Sequence, residues 1–173
     1  MANNPFISVI VTAYNYRPYI VEALNSLRTQ ELDKESFDVI VVANFDQAEI
    51  SRYLCTKWKF IQSKNRWIGP KVSEALKETS GYVVVFLEDD DLFERTKLKV
   101  IYDIFKQNQN LGFYRHKVKI INENGKEANL PYNLYNSGKI VIKKSRNIGK
   151  QYLLTYTEAV MRPCLPWQSE EKF

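Results

Sequence analysis

Apolar and polar positions alternate along this chain in blocks. Phe6-Ile7-Ser8-Val9-Ile10-Val11-Thr12 is β-branched and nearly continuous, as a strand covered on both faces must be. It stops at Ala13-Tyr14-Asn15-Tyr16-Arg17, and Pro18 opens a helix at its first turn, with Ile20, Val21, Leu24 and Leu27 on one face. Residues Phe37 to Ala43 read as a second buried strand. Asp46 is placed to cap a short helix through about Cys55, and Trp58 to Gln62 reads as a third strand. Pro70 begins another helix carrying Val72, Ala75 and Leu76, which Gly81 is expected to end as a C′ glycine. Tyr82 to Leu87 is the fourth strand.

Strand and helix in alternation at these spacings predict right-handed crossovers and a mainly parallel sheet with helices on both faces. Beyond Leu92 the pattern changes. Thr96 to Asn108 is helical, with Leu98, Ile101, Tyr102 and Phe105 on one stripe. Phe113 to Ile121 alternates like a one-sided strand, Asn122 to Gly125 is a turn signal, Lys139–Lys143 reads as an antiparallel neighbour, and Gln151–Met161 as a last helix. In sheets of this kind ligands bind at the carboxyl ends of the strands. Those ends are Thr12–Arg17, Ala43–Asp46, Ser63–Gly69 and Glu88–Phe93.

The last of these segments carries four consecutive acids, Glu88, Asp89, Asp90 and Asp91, directly behind an apolar strand. Such a cluster is either a solvated turn or a site for a cation, since buried carboxylates are costly without positive charge nearby. Its place at a strand's carboxyl end favours the cation. Mg²⁺ or Mn²⁺ takes one or two carboxylates plus substrate phosphates, and Glu88 and Asp90, one residue apart, can face the same ion.

Composition narrows the chemistry. The 173 residues fit one domain with a sizeable core, and the net charge of +5 with a pI near 9.1 favours anionic partners such as a nucleotide or a phospholipid surface. No zinc-knuckle, RNA-recognition or helix-turn-helix signature accompanies that charge, so nucleic acid is not expected. Lys97-Leu98-Lys99 and Lys143-Lys144-Ser145-Arg146 read as solvated faces. A single histidine, His116, excludes a multi-histidine metal site. Cys55 and Cys164 read as free thiols of a cytoplasmic protein. No apolar run approaches the ~20 residues of a membrane span, and Met1 to Pro5 carries no charged leader pattern, so no signal peptide is expected.

SVIVTAYN (Ser8–Asn15), RPYIVEALNSLRTQ (Arg17–Gln30), FDVIVVANFD (Phe37–Asp46), Asn65 with Gly69, and GYVVVFLEDDDLF together resemble the family 2 glycosyltransferases, in order over residues 6–125. The resemblance implies the GT-A fold, a three-layer α/β/α arrangement in one domain. Residues 6–93 would form its nucleotide-binding half and 94–173 a shortened, or truncated, acceptor-side half. It implies transfer of a sugar, with inversion, from a nucleotide-sugar (a UDP-sugar first) to a glycan or lipid-linked acceptor, with Mg²⁺ or Mn²⁺ and with peripheral membrane contact. Tyr14 matches the aromatic that stacks on the base, and Thr12 and Ala13 the turn approaching the nucleotide. Glu88 and Asp90 match the family's Asp-x-Asp, Asp90 as metal ligand and Glu88 facing the ribose or the ion. Asp91 matches the next acid, a catalytic candidate or a cap for the following helix. Asp89 fills the variable position beside the nucleotide and reads as solvated.

Departures from the family pattern accompany the match. Ala43-Asn44 stands where the family usually has Asp-Asp, leaving Asn44 to offer a donor and an acceptor to the base. Ser73-Glu74-Ala75 replaces the usual Ala-Arg-Asn, and Lys71 and Arg66, both read as surface residues, are the alternative sources of positive charge. The catalytic base is expected late in the chain, where Asp103, Glu123, Glu127, Glu158, Glu170 and Glu171 are available and no motif selects one. The alternative function is a nucleotide- or partner-binding module of the same fold without complete catalysis.

Overall fold

The computed structural model describes residues 5–112, 114, 119–122 and 124–128. Four parallel strands, β1 (Ile7–Thr12), β2 (Phe37–Ala43), β3 (Lys59–Gln62) and β4 (Val83–Glu88), lie side by side in the order β3-β2-β1-β4. Helices α1 (Tyr19–Arg28), α2 (Ile68–Leu76) and α3 (Lys97–Gln107) join them, together with short 3₁₀ turns at Lys34–Ser36, Gln47–Glu49 and Ser51–Tyr53. The period-2 alternation of the strands sorts their side chains onto two faces. Val9, Val11, Val39, Val41, Val85 and Leu87 join Leu24 and Leu27 of α1 and Leu98, Ile101 and Phe105 of α3 in the larger core. Ile10, Ile40, Val42, Val84 and Phe86 pack with Ala75 of α2 and its neighbours Val72 and Leu76 on the other face. Burying each such aliphatic side chain contributes roughly 1.5–3 kcal/mol, and Asp38, half-buried near the start of β2, is the one charged residue of the two inner strands β1 and β2.

The register aligns the strand ends. Thr12 lies beside Val42 on one side and Glu88 on the other, and Ala43 lies beside Gln62. The carboxyl termini of all four strands therefore finish along one edge, and the loops leaving them face a common region. Gln30, buried just after α1, ties that edge to the rest of the molecule. Its amide donates to the carbonyls of Ser26 and Glu94, and its Oε1 accepts from the amide of Leu98, at 2.8–3.0 Å.

Several sequence expectations are corrected. The helix foreseen from Asp46 to Cys55 is two separate 3₁₀ turns, Gln47–Glu49 and Ser51–Tyr53. Asp46 does cap the first, accepting from Ala48 N at 2.8 Å, but buried Ile50 at φ −123° interrupts the helical run. Gly81 does not end α2, which stops at Leu76. It is instead a close-approach glycine entering β4: a Cβ there would sit 2.5 Å from Ser8 N and 2.7 Å from Ile7 C, so no side chain fits against β1. Lys97 is not fully solvated, its amine lying 3.8 Å over the Phe93 ring. Pro70 falls inside α2, whose first residue is Ile68. Around the predicted turn, Asn122 Oδ1 accepts from the amides of Asn124 and Lys126, and Ile121 and Glu127 form an antiparallel bridge. Most of the strand expected from 113 to 121, the strand at 139–143, the helix at 151–161, His116, the 143–146 basic run, Cys164, Glu123, Glu158, Glu170 and Glu171 lie outside the described residues.

Candidate active site at the carboxyl edge of the sheet

The loop leaving β1 holds an unusual backbone state. Asn15 has φ 56°, the left-handed region that asparagine tolerates better than other side-chain-bearing residues. Asn44, just past β2, stabilises it: its Oδ1 accepts from Asn15 N at 2.7 Å, and its Nδ2 donates to Asn15 Oδ1 at 3.3 Å. The asparagine expected to face a base thus spends one donor and one acceptor on shaping the neighbouring turn. Thr12 and Ala13 are buried at the strand end, with Ala13 N donating to Val42 O at 3.1 Å and Asp89 N to Thr12 O at 3.2 Å. Tyr14 projects outward from this turn, 41% exposed.

Two basic residues flank Tyr14. Arg66 Cζ lies 5.5 Å from its ring centroid and Lys71 Nζ 5.1 Å from it, both within cation–π range. Lys71 is not a surface residue: it is 1% exposed, on the buried face of α2, and its ammonium donates to the carbonyl of Ala13. Burial lowers its pKa, against the attraction of Asp89 and Glu74. The signal for it is present in the sequence, because Lys71 falls on the stripe that runs through Ile68, Val72 and Ala75. A lysine on an apolar stripe must carry its charge to a partner, and here that partner is the β1 turn.

The four acids divide sharply. Asp89, expected to be solvated, is buried, and Arg17 grips it through both oxygens, Nε to Oδ2 at 3.0 Å and Nη2 to Oδ1 at 2.6 Å. The cause is geometric: the chain turns after Glu88, aiming Asp89 back under the β1 loop where Arg17 lies. Arg17 Nη1 also meets Asp90 Oδ2 at 3.2 Å. These contacts, led by the hydrogen bonds to Asp89, raise the already high pKa of the guanidinium. Nothing in the pattern around Arg17 singles it out, since its partners lie more than 70 residues away.

Glu88 is half-buried, and its pKa is pushed up to about 7, first by burial and then by the charges of Asp91, Asp90 and Asp89. The site therefore holds more negative charge than Arg17 offsets. Asp91 is half-buried, with its amide donating to Glu88 O at 3.2 Å. It does not cap α3, whose N-cap position is Thr96. Lys97, the first residue of α3, has its amine pushed down to about 7 by burial, with Asp91 opposing that shift. Trp67 and Tyr16 add exposed aromatic surface near the same loops. Asp103 is committed elsewhere, to Lys99 on the outer face of α3. Among the described residues, no helix is long and apolar enough to cross a membrane.

Comparison with known proteins bears on the family and the fold. The model for glycosyl transferase family 2 matches residues 8–160. An uncharacterized glycosyltransferase of Rickettsia bellii is 31% identical over 125 residues, covering 69% of this chain and 18% of that protein. The poly(ribitol-phosphate) beta-N-acetylglucosaminyltransferase TarS of Staphylococcus aureus is 35% identical over 99 residues, covering 53% of this chain and 17% of TarS. A crystal structure of TarS residues 1–349 in complex with UDP superposes with a TM-score of 0.57 at 28% identity, covering 72% of this chain and 38% of that one. The chain spans under a fifth of the length of these two curated relatives. The parallel sheet, its helical layers and this likeness make the fold α/β of the GT-A type.

Proposed function

Because the chain belongs to glycosyl transferase family 2, we propose that it binds a nucleotide-sugar at the carboxyl edge of its sheet and transfers the sugar, with metal assistance and inversion, to an acceptor. The observation that carries this reading is the convergence on one edge of Thr12, Ala13, Tyr14 and Asn44 with the acid cluster Glu88–Asp91. Tyr14 offers a stacking face for the base, with Lys71 fixing the turn that presents it. The complexes of TarS with UDP and with UDP-GlcNAc support a UDP-sugar as the donor. In this reading the described residues up to Phe93 form the donor side of a single domain, and the remainder the acceptor side, where a glycan or a lipid-linked acceptor at a membrane surface would meet it.

Glu88 and Asp90 are the residues that would hold Mg²⁺ or Mn²⁺. They fit by their chemistry: oxygen donors, one residue apart, at the carboxyl end of β4, where burial first and the neighbouring acids second raise the pKa of Glu88. Among the described residues no group of three or more His, Cys, Asp or Glu is placed to hold an ion, so phosphate oxygens and water would have to complete the shell begun by these two carboxylates. When bound, the ion supplies Lewis-acid neutralisation of the departing diphosphate. Asp91, behind the two ligands, is the catalytic candidate of the cluster.

Thermal unfolding with a panel of nucleoside diphosphates and Mn²⁺ tests the reading. UDP with Mn²⁺ should raise Tm, and Asp90→Ala should abolish the rise; no shift with any nucleotide overturns it. A second reading, donor binding without transfer, is favoured by the acids themselves: Asp103 is paired away from the site, and the other late acids furnish no motif for a base. Slow donor hydrolysis with no transfer to any acceptor would select it.

A further inference from the structure

Arg17 holds two members of the acid cluster unequally. Its grip on Asp89 is bidentate, with contacts of 2.6 and 3.0 Å, and the Asp89 side chain is only 6% exposed. Its contact with Asp90 is single, 3.2 Å long, and made to a side chain that is 40% exposed. Bidentate guanidinium–carboxylate pairs shielded from water are strong and geometrically specific, whereas a single contact in solvent contributes little. The Asp89 pair therefore anchors the guanidinium, and the Asp90 contact can be broken without losing it.

Resting on the nucleotide-sugar reading above, we propose that Arg17 is a resident counter-cation for Asp90, a positioning residue that occupies the acid when no divalent cation is bound and yields it when one arrives. Arg17 Nη1 already holds Asp90 Oδ2, and a divalent ion on the same carboxylate would be repelled by that guanidinium a few ångströms away, so the two compete electrostatically for Asp90. The bidentate hold on Asp89 keeps the guanidinium beside the site throughout. The row of carboxylates thereby keeps one resident positive charge, on Asp89 and Asp90. Its affinity for free metal is also lowered, which favours loading together with a diphosphate that brings its own negative charge.

The test measures Mn²⁺ binding to the full chain by calorimetry and by the electron-spin signal of free Mn²⁺, without nucleotide and at fixed ionic strength. In R17K one ammonium can keep Asp89 but cannot span to Asp90. R17K should bind Mn²⁺ roughly two- to fivefold tighter than the wild type, the range an exposed ion pair supplies, and D90N should lose binding in both backgrounds. Equal or weaker binding by R17K overturns the inference. Should R17K fail to fold, ¹⁵N spectra of the arginine side chains of the wild-type chain decide instead. Saturating Mg²⁺ should move the Arg17 Nη signals while Nε stays in place, and unmoved Nη signals overturn the inference. If neither protein binds Mn²⁺, with or without UDP, the metal-assisted part of the reading above falls and this inference with it; if both bind it equally, that reading stands and only the role of Arg17 is removed.

Discussion

Arg17→Ala and Asp89→Asn break the same ion pair, yet the structure makes their costs unequal. Removing Arg17 leaves a carboxylate whose side chain is 6% exposed with no guanidinium to compensate it. Breaking a buried pair in this sense costs about 3–5 kcal/mol, and the half-exposed position of Arg17 puts the expected value near ~3 kcal/mol. Removing the charge of Asp89 leaves a guanidinium that is 43% exposed, hydrated, and still 3.2 Å from Asp90. Asparagine also keeps the shape and one acceptor oxygen, so this loss should be about 1 kcal/mol. The difference of about 2 kcal/mol is close to a thirtyfold difference in folding equilibrium, using about 1.4 kcal/mol per factor of ten. Urea unfolding of both full-length variants at pH 7, with m-values compared to confirm a common transition, measures it. Equal costs, or a larger cost for Asp89→Asn, would refute the assignment of Asp89 as the buried partner.

Gln30→Ala removes three hydrogen bonds that join α1, the loop after the acids and the start of α3. It strands the buried amide of Leu98, while Ser26 O keeps the Thr29 hydroxyl and Glu94 O keeps the Lys97 amide, so a loss of roughly 1–3 kcal/mol is expected in the same denaturation assay, and a loss below ~0.5 kcal/mol would count against its bridging role. Lys97 gives a pH signature. Its folded pKa, about 7, lies below the usual 10.5, so between pH 7 and 10.5 the unfolded chain holds a proton that the folded chain has released. Its burial cost is thus fully present below pH 7 and is relieved as pH rises through that window. The stability of the wild type relative to Lys97→Met should therefore climb from pH 7 to 10; parallel stability curves would show that the amine is not buried.

Much of this protein is legible from one dimension. A strand buried on both faces must be a continuous apolar run, and a helix covering it must carry a stripe at period 3.6, so β1, β2, β4, α1 and α3 follow from local pattern. The position of the acids at the end of β4 follows equally, since a parallel sheet built by right-handed crossovers puts every carboxyl end on one edge. The family match adds Tyr14, Glu88 and Asp90 as site candidates, residue by residue. The short connections were less legible: two 3₁₀ turns replace a helix, and Gly81 is explained by the closeness of β1, 73 residues earlier, and not by a helix end.

What the sequence alone determined is the order of elements, the sheet's parallel character, and the edge on which chemistry would gather. What only the tertiary structure decided is how charge is distributed along that edge. Asp89 turns inward to Arg17, Lys71 reaches Ala13 from beneath the sheet's rim, and Asn44 braces Asn15. Each of these pairs joins residues 29 or more positions apart. Hydrophobic periodicity is a local property that a few neighbouring residues can announce, whereas a buried charge is tolerated only where a distant partner arrives to meet it, and that meeting exists only in the folded chain.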